Sequence, residues 1–207
     1  MSQNKINKKF VYLISPNEIR GDNFFTNLSL VLKSGKVSFF QLRLKKESLK
    51  NKIKIGNRVK KICKKYNVKF LINDDPFLAK KIDADGCHLG QNDMDINDAK
   101  KILKNKIIGI TCHNSIKLAK IAIKNKADYI AFGAFNSSKT KNVKFIAKTN
   151  LLKKVNKLAN IPIVAIGGIN DINYKKLLLN KANFLAISGY IWNNKKLKPV
   201  EAIKKLK

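Results

Sequence analysis

The chain has 207 residues, 44% of them hydrophobic, with 44 basic against 13 acidic side chains and a formal net charge of +31. That length suits one α/β barrel or one doubly wound domain, and the hydrophobic share allows a sizeable core. The charge raises the question of a nucleic-acid partner, but its distribution argues against one: the arginines are Arg20, Arg43 and Arg58, the lysines are spread over the whole chain, and no stretch interleaves cations with aromatics as a single-strand binder does.

In chain order, a buried strand is expected over Phe10–Ser15, stopped by Pro16. Asn23–Leu32 has helical spacing and ends at Ser34-Gly35, a C-cap pair. Val37–Arg43 alternates and is rich in β-formers, and Leu49–Tyr66 is an amphipathic helix. Phe70–Ile72 and Gly86–Leu89 are short buried strands with a helical stretch between them. There follow a helix at Ile96–Leu103, a strand at Ile107–Thr111, a helix at Ile116–Ala122 and a strand at Asp128–Phe132. After a polar loop, Asn136–Asn142, come a helix at Leu151–Leu158, a strand at Ile161–Ile166 ending in Gly167-Gly168, and a helix at Tyr174–Leu179. A strand at Phe184–Ile187 and a helix at Val200–Leu206, started by Pro199, complete the chain. Eight apolar strands alternating with helices predict a parallel sheet covered on both sides, and in this length a single-domain (β/α)8 TIM barrel over 1–207, with an open doubly wound sheet as the runner-up. No internal repeat is expected beyond the βα alternation. Three scattered cysteines (Cys63, Cys87, Cys112) fit a reducing compartment. Met1–Lys9 is polar and basic, the apolar run after it is short, and no stretch approaches the roughly 20 apolar residues of a membrane span, so the cytoplasm is the expected location.

In a barrel, chemistry collects at the C-terminal ends of the strands. There the chain places Ser15, Gln41-x-Arg43-x-Lys45, Asn73-Asp74, Gly90-Gln91-Asn92-Asp93, Thr111-Cys112-His113, the loop Ser138-Lys139-Thr140-Lys141, Gly167-Gly168 and Ile187-Ser188-Gly189, while strand interiors read as apolar. Asp74 and Asp93 stand at the tips of neighbouring strands. Each alone reads equally as a helix cap. Both together, at matching strand ends, suit Mg²⁺ holding a phosphate substrate. Gln41, Arg43 and Lys45 are expected to point one way and grip a diphosphate. Gly167-Gly168 with Ser188 reads as a phosphate cup, and Ser138–Lys141 as a lid. His88, inside a strand, reads as a satisfied core histidine; zinc and a Cys112–His113 nucleophile pair are not expected.

These residues carry a family resemblance. Gln41-Leu42-Arg43-Leu44-Lys45, Leu71-Ile72-Asn73-Asp74-Asp75, Ala84-Asp85-Gly86-Cys87-His88-Leu89-Gly90-Gln91-Asn92-Asp93, Ile108-Gly109-Ile110-Thr111, Thr140-Lys141 and Val164–Ile169 together resemble thiamine-phosphate synthase over nearly the full length. The resemblance implies a transferase that joins hydroxymethylpyrimidine diphosphate to a thiazole phosphate with release of pyrophosphate. It implies that Gln41, Arg43, Lys45, Asn73, Thr111 and Lys141 bind the pyrimidine diphosphate, with Arg43 and Lys141 catalytic. By the same resemblance Asp74 and Asp93 hold Mg²⁺, and Ser138, Lys139, Thr140, Gly168, Ile187 and Ser188 bind the thiazole phosphate. Ala134–Ser138 departs from the family's usual proline- and threonine-containing loop, which leaves the thiazole tautomerase of the same fold as an alternative, with a basic nucleic-acid-associating barrel third. Expected partners are small phosphorylated substrates, with no specific nucleic acid and no membrane; assembly with further copies of the chain is left open.

Overall fold

The computed structural model describes residues 9–137, 145–158 and 160–207. Eight parallel strands close into one barrel in sequence order: β1 (Val11–Ile14), β2 (Val37–Leu42), β3 (Lys69–Asn73), β4 (Gly86–Leu89), β5 (Ile107–Thr111), β6 (Tyr129–Gly133), β7 (Ile163–Ile166) and β8 (Phe184–Ile187), the last pairing back onto β1. Around it run α1 (Asn23–Lys33), α2 (Leu49–Lys65), α3 (Pro76–Lys81), α4 (Ile96–Leu103), α5 (Ile116–Lys124), α6 (Asn150–Asn156), α7 (Tyr174–Leu179), α8 (Gly189–Trp192) and α9 (Pro199–Lys205). The barrel, rather than the open sheet, is therefore the architecture.

Local chemistry explains the helix starts. Ser48 and Ser115 accept from the backbone N–H groups of Asn51 and Leu118 and so cap α2 and α5, while Asp75 caps α3 with Pro76 at its first position. The two-faced apolar character of the strands has two destinations. One face packs under the helices around Phe40, Ile72, Leu89 and Ile130. The other fills the lumen with Tyr12, Leu71, Tyr129, Val164 and Ala186, joined by Phe39, Ile107, Ile166 and Phe184. Lumen positions follow the period of two. Continuing that period toward the C-terminal rim leads from Phe39 to Gln41, from Leu71 to Asn73 and from Ile107 through Gly109 to Thr111. The polar rim is thus the top layer of the lumen's own packing.

The opposite rim holds a repeat that the sequence reading did not expect. Asp83-Ala84-Asp85, Lys126-Ala127-Asp128 and Lys181-Ala182-Asn183 enter β4, β6 and β8 by one turn. The first residue of each is left-handed (φ 49, 58 and 80°). The alanine N–H reaches back to a helix carbonyl (Ala79, Ala122, Leu177) at 2.9, 2.9 and 3.1 Å. The third side chain accepts from a backbone N–H in the first two residues of the adjacent strand, at Phe70, Ile108 and Ile163, over 2.8, 2.7 and 2.8 Å. Each unit closes a helix and pins a strand start.

Candidate active site

Register brings the rim residues together. His88 lies opposite Asn73 between β3 and β4, and Gln41 opposite Leu71 between β2 and β3. The four acids that follow β3 and β4 divide their labour. Asp75 Oδ1 caps α3 through Leu78 N–H at 2.9 Å, and Asp95 Oδ1 takes Asn97 N–H at 2.7 Å at the start of α4. Asp74 and Asp93 are left for the rim, where their carboxyl groups lie within hydrogen-bonding reach of each other. Asp93 Oδ2 also accepts from Gly90 N–H at 2.6 Å, which closes the turn after β4.

Asp74 is left-handed (φ 66°). Among the described residues six other non-glycine residues share that conformation; five (Asn67, Asp83, Lys104, Lys126, Lys181) follow helices, and His113 follows β5. A carboxylate held in this backbone at a strand tip is a strained placement of the kind found where function demands it. The pair divides electrostatically. Burial opposes ionisation of Asp74, yet hydrogen bonding from Asp93 and the Lys45 ammonium hold it below the ordinary carboxylate range, with Lys45 Nζ 3.0 Å from its Oδ2. Burial and the neighbouring Asp74 push Asp93 up. A cation shared by the two carboxylates would favour the ionised form of both.

Gln41, Arg43 and Lys45 do not form the single row that period two predicts, because β2 ends at Leu42. They fan out. Gln41 is 2% exposed, and its side-chain Nε2 has no hydrogen-bond partner among the described residues. Arg43 turns toward the loop after β1, where Nη1 donates to Asn17 Oδ1 at 2.8 Å. Lys45 turns the other way, to Asp74. The remaining arginines are otherwise engaged, Arg58 over the Phe25 ring and on Asp22, and Arg20 on Glu18. A cleft of about 220 Å³ opens beside the acids, lined by Lys45, Lys52, Asn73, Asp74 and Asp75 with Leu42, Leu44, Ile72 and Leu78. Lys52 was not singled out by the sequence, where one more lysine on a basic helix carries no signal. Asn17, the orienting partner of Arg43, gave none either.

Thr111 Oγ1 lies 2.8 Å from His88 Nε2, and Gln91 Nε2 donates to the Thr111 carbonyl at 2.5 Å. His88 is satisfied at both nitrogens, as expected, its Nδ1 lying 2.8 Å from Tyr129 Oη. Cys112 is fully buried, whereas His113 turns out and stacks on Phe145 at 4.4 Å, so the two do not form a nucleophile pair. On the far side, Gly167 and Gly168 are left-handed (φ 106 and 57°), and a Cβ on Gly168 would stand 2.2 Å from the Ser137 carbonyl oxygen. Ser188 precedes α8, and its Oγ donates to the Ser15 carbonyl at 3.1 Å. Ile187 is buried. Ser138, Lys139, Thr140 and Lys141 lie outside the described residues. Among the described residues no group of three or more His, Cys, Asp or Glu side chains could hold a metal, and no helix is long and apolar enough to cross a membrane.

A family model described as thiamine monophosphate synthase matches residues 11–191. The chain is 70% identical over 207 residues to the thiamine-phosphate synthase of Pelagibacter ubique (strain HTCC1062), covering 100% of both. It is 39% identical over 197 residues to that of Erythrobacter litoralis (strain HTCC2594), covering 93% of this chain and 92% of the relative. Among solved structures, thiamine phosphate pyrophosphorylase from Pyrococcus furiosus superimposes with a TM-score of 0.85 at 28% identity, covering 98% and 96% of the two chains. A 3-hexulose-6-phosphate synthase (TM-score 0.65, 17% identity, covering 95% of this chain and 98% of that one) shares the fold.

Proposed function

The chain belongs to the thiamine monophosphate synthase family and is a transferase that forms thiamine phosphate, and from that premise we propose that it joins hydroxymethylpyrimidine diphosphate to hydroxyethylthiazole phosphate, or its carboxylated form, with release of pyrophosphate. The observation that supports this most is the acid pair: Asp74 and Asp93 meet at the rim while Asp75 and Asp95 take the capping duty. The donor set fits magnesium, since two hard carboxylates leave the other positions to water and phosphate oxygens. When bound, the ion offsets negative charge on the diphosphate and so favours its departure.

The chain's own residues do the rest. Arg43, held by Asn17, presents its guanidinium to the diphosphate, and Lys45 adds a point charge beside it. Gln41, with its buried amide unpartnered, donates to the pyrimidine half. Asn73 and Thr111 complete that site from the lumen's top layer, with Lys141 from the loop after β6. Gly168, Ile187 and Ser188, with Ser138, Lys139 and Thr140, take the thiazole phosphate. The carbon–oxygen bond breaks with its electron pair leaving on the diphosphate, and the thiazole nitrogen supplies the pair that closes the new carbon–nitrogen bond. Catalysis then consists of positioning and of neutralising the leaving group.

The test is pyrophosphate release, which should require both substrates and Mg²⁺. Asp93→Asn keeps an oxygen for Gly90 N–H, so turnover at saturating Mg²⁺ should fall about 100-fold with little change in melting temperature. Equal damage to rate and stability would remove Asp93 from the metal site. Metal-independent isomerisation of the thiazole carboxylate phosphate, without pyrophosphate release, would replace the synthase by the tautomerase.

A further inference from the structure

The lumen contains a hydrogen-bonded file that the reaction as described does not use. Tyr12 Oη lies 2.8 Å from Tyr129 Oη, Tyr129 Oη lies 2.8 Å from His88 Nδ1, and His88 Nε2 lies 2.8 Å from Thr111 Oγ1. The rings support the file as well as their polar atoms: His88 and Tyr129 stack at 5.6 Å with planes 16° apart, and Tyr12 and Tyr129 lie 5.7 Å apart. Room for it is made by a glycine. A Cβ on Gly109, which faces the lumen from β5, would stand 1.8 Å from Tyr129 Cζ. Strand interiors are therefore not uniformly apolar. One polar thread runs from β1 through β6 and β4 to the rim of β5.

Each link permits two proton arrangements, but the buried end selects one. Tyr12 is 2% exposed and surrounded by apolar lumen side chains, with Phe39 stacked on it at 5.5 Å. Its acceptor among the described residues is Tyr129 Oη. If Tyr12 donates there, Tyr129 donates to His88 Nδ1, His88 carries its proton on Nε2, and Nε2–H donates to Thr111 Oγ1. Every buried proton is then used. In the reverse arrangement His88 Nδ1–H donates to Tyr129 and Tyr129 to Tyr12, and the Tyr12 proton has no acceptor, which costs about 1–3 kcal/mol. Both ring nitrogens of His88 face hydroxyl oxygens, so a single ring proton satisfies every link of the file.

We propose that Tyr12, Tyr129 and His88 are positioning residues that fix the direction of this file, so that the Thr111 hydroxyl, already an acceptor from His88, must aim its own proton out of the lumen at the bound diphosphate. The inference rests on the reading of Thr111 as a diphosphate ligand given above. In the reverse arrangement Thr111 would spend its proton on His88 and present only lone pairs to an anion. Direction, rather than proximity, makes the hydroxyl useful to a leaving group that gains negative charge.

Two measurements test it. The side-chain ¹⁵N spectrum of His88 in the free protein should show the Nε2–H tautomer, and an Nδ1–H tautomer would overturn the proposal. Binding of inorganic pyrophosphate with Mg²⁺, read by calorimetry, should weaken about tenfold in Thr111→Val and recover in Thr111→Ser. Tyr129→Phe should weaken it about three- to tenfold, and should add little in the Thr111→Val background, because Tyr129 acts only through that hydroxyl. Fully additive effects would overturn the proposal by showing that Tyr129 acts elsewhere. Unchanged binding in Thr111→Val would remove Thr111 from the diphosphate site, a failure of the earlier reading that the tautomer measurement distinguishes from a failure of direction.

Discussion

At the scale of the residue, Gln41 has a buried side-chain nitrogen with no hydrogen-bond partner among the described residues, and the proposed pyrimidine site would supply one. A buried amide nitrogen without a partner destabilises a fold by about 1–3 kcal/mol. Gln41→Met, of similar shape, should therefore leave the free protein as stable or about 1 kcal/mol more stable in urea, while raising the KM for the pyrimidine diphosphate about tenfold or more. Loss of stability without loss of affinity would show that Gln41 serves the fold. His88 gives the pH dependence. Its pKa is lowered by burial to about 4 in the fold, against about 6.5 in an unfolded chain. Between these values the unfolded chain binds the extra proton, so stability is complete above pH 6.5 and falls as the pH drops toward 4. The EDTA-treated protein should lose up to about 2 kcal/mol between pH 7.5 and 5, and His88→Gln should flatten that slope; an unchanged slope would assign it to other groups. Residue identity alone does not reveal these roles. A tyrosine or histidine in a strand reads as core until its partners across the lumen are known, and the spacing of Asp74-Asp75 and Asp93-x-Asp95 does not say which acid of each pair caps the helix.

Elements were far more legible than these contacts. The strands stand out because both faces are apolar, and α2, α4 and α5 because they are long enough to show a 3.6-residue period. The four-residue α8 has no such period and escaped notice, although its Trp192 indole N–H donates to the Ile14 carbonyl at 2.7 Å and ties it to β1. The triplets that enter β4, β6 and β8 escaped because their likeness lies in left-handed backbone and an Asp/Asn interchange, not in identity. They make two opposed predictions. A β-carbon at positive φ is strained, so Lys126→Gly and Lys181→Gly should each raise stability by up to about 1 kcal/mol, as a higher urea midpoint at unchanged slope. Asp128→Ala strips the Ile108 N–H of its acceptor and should lower stability by about 1–3 kcal/mol. Should both glycine variants be destabilising, the turns would owe their stability to the lysine side chains instead.

The whole molecule is governed by an imbalance of charge. With 44 basic and 13 acidic side chains, most lysines have no carboxylate to face. Several of the acids also carry fixed duties: Asp83 is shared by Lys60 and Lys106, Asp85 and Asp128 pin strand starts, and Asp74 and Asp93 meet at the rim. A compact body at +31 repels itself more than its expanded chain does, and salt screens that repulsion over a Debye length of about 10 Å at 0.1 M. Raising NaCl from about 0.02 to 0.3 M should therefore stabilise the fold by about 1 kcal/mol, or about 2–4 °C in melting temperature for a chain of this size. The same screening should release the protein from DNA-cellulose, since scattered lysines offer counterion release without a shaped groove. Melting that is indifferent to salt, together with retention on the polyanion at 0.3 M, would mean that the lysines converge on a built surface, and the nucleic-acid reading ranked third on their distribution would move up.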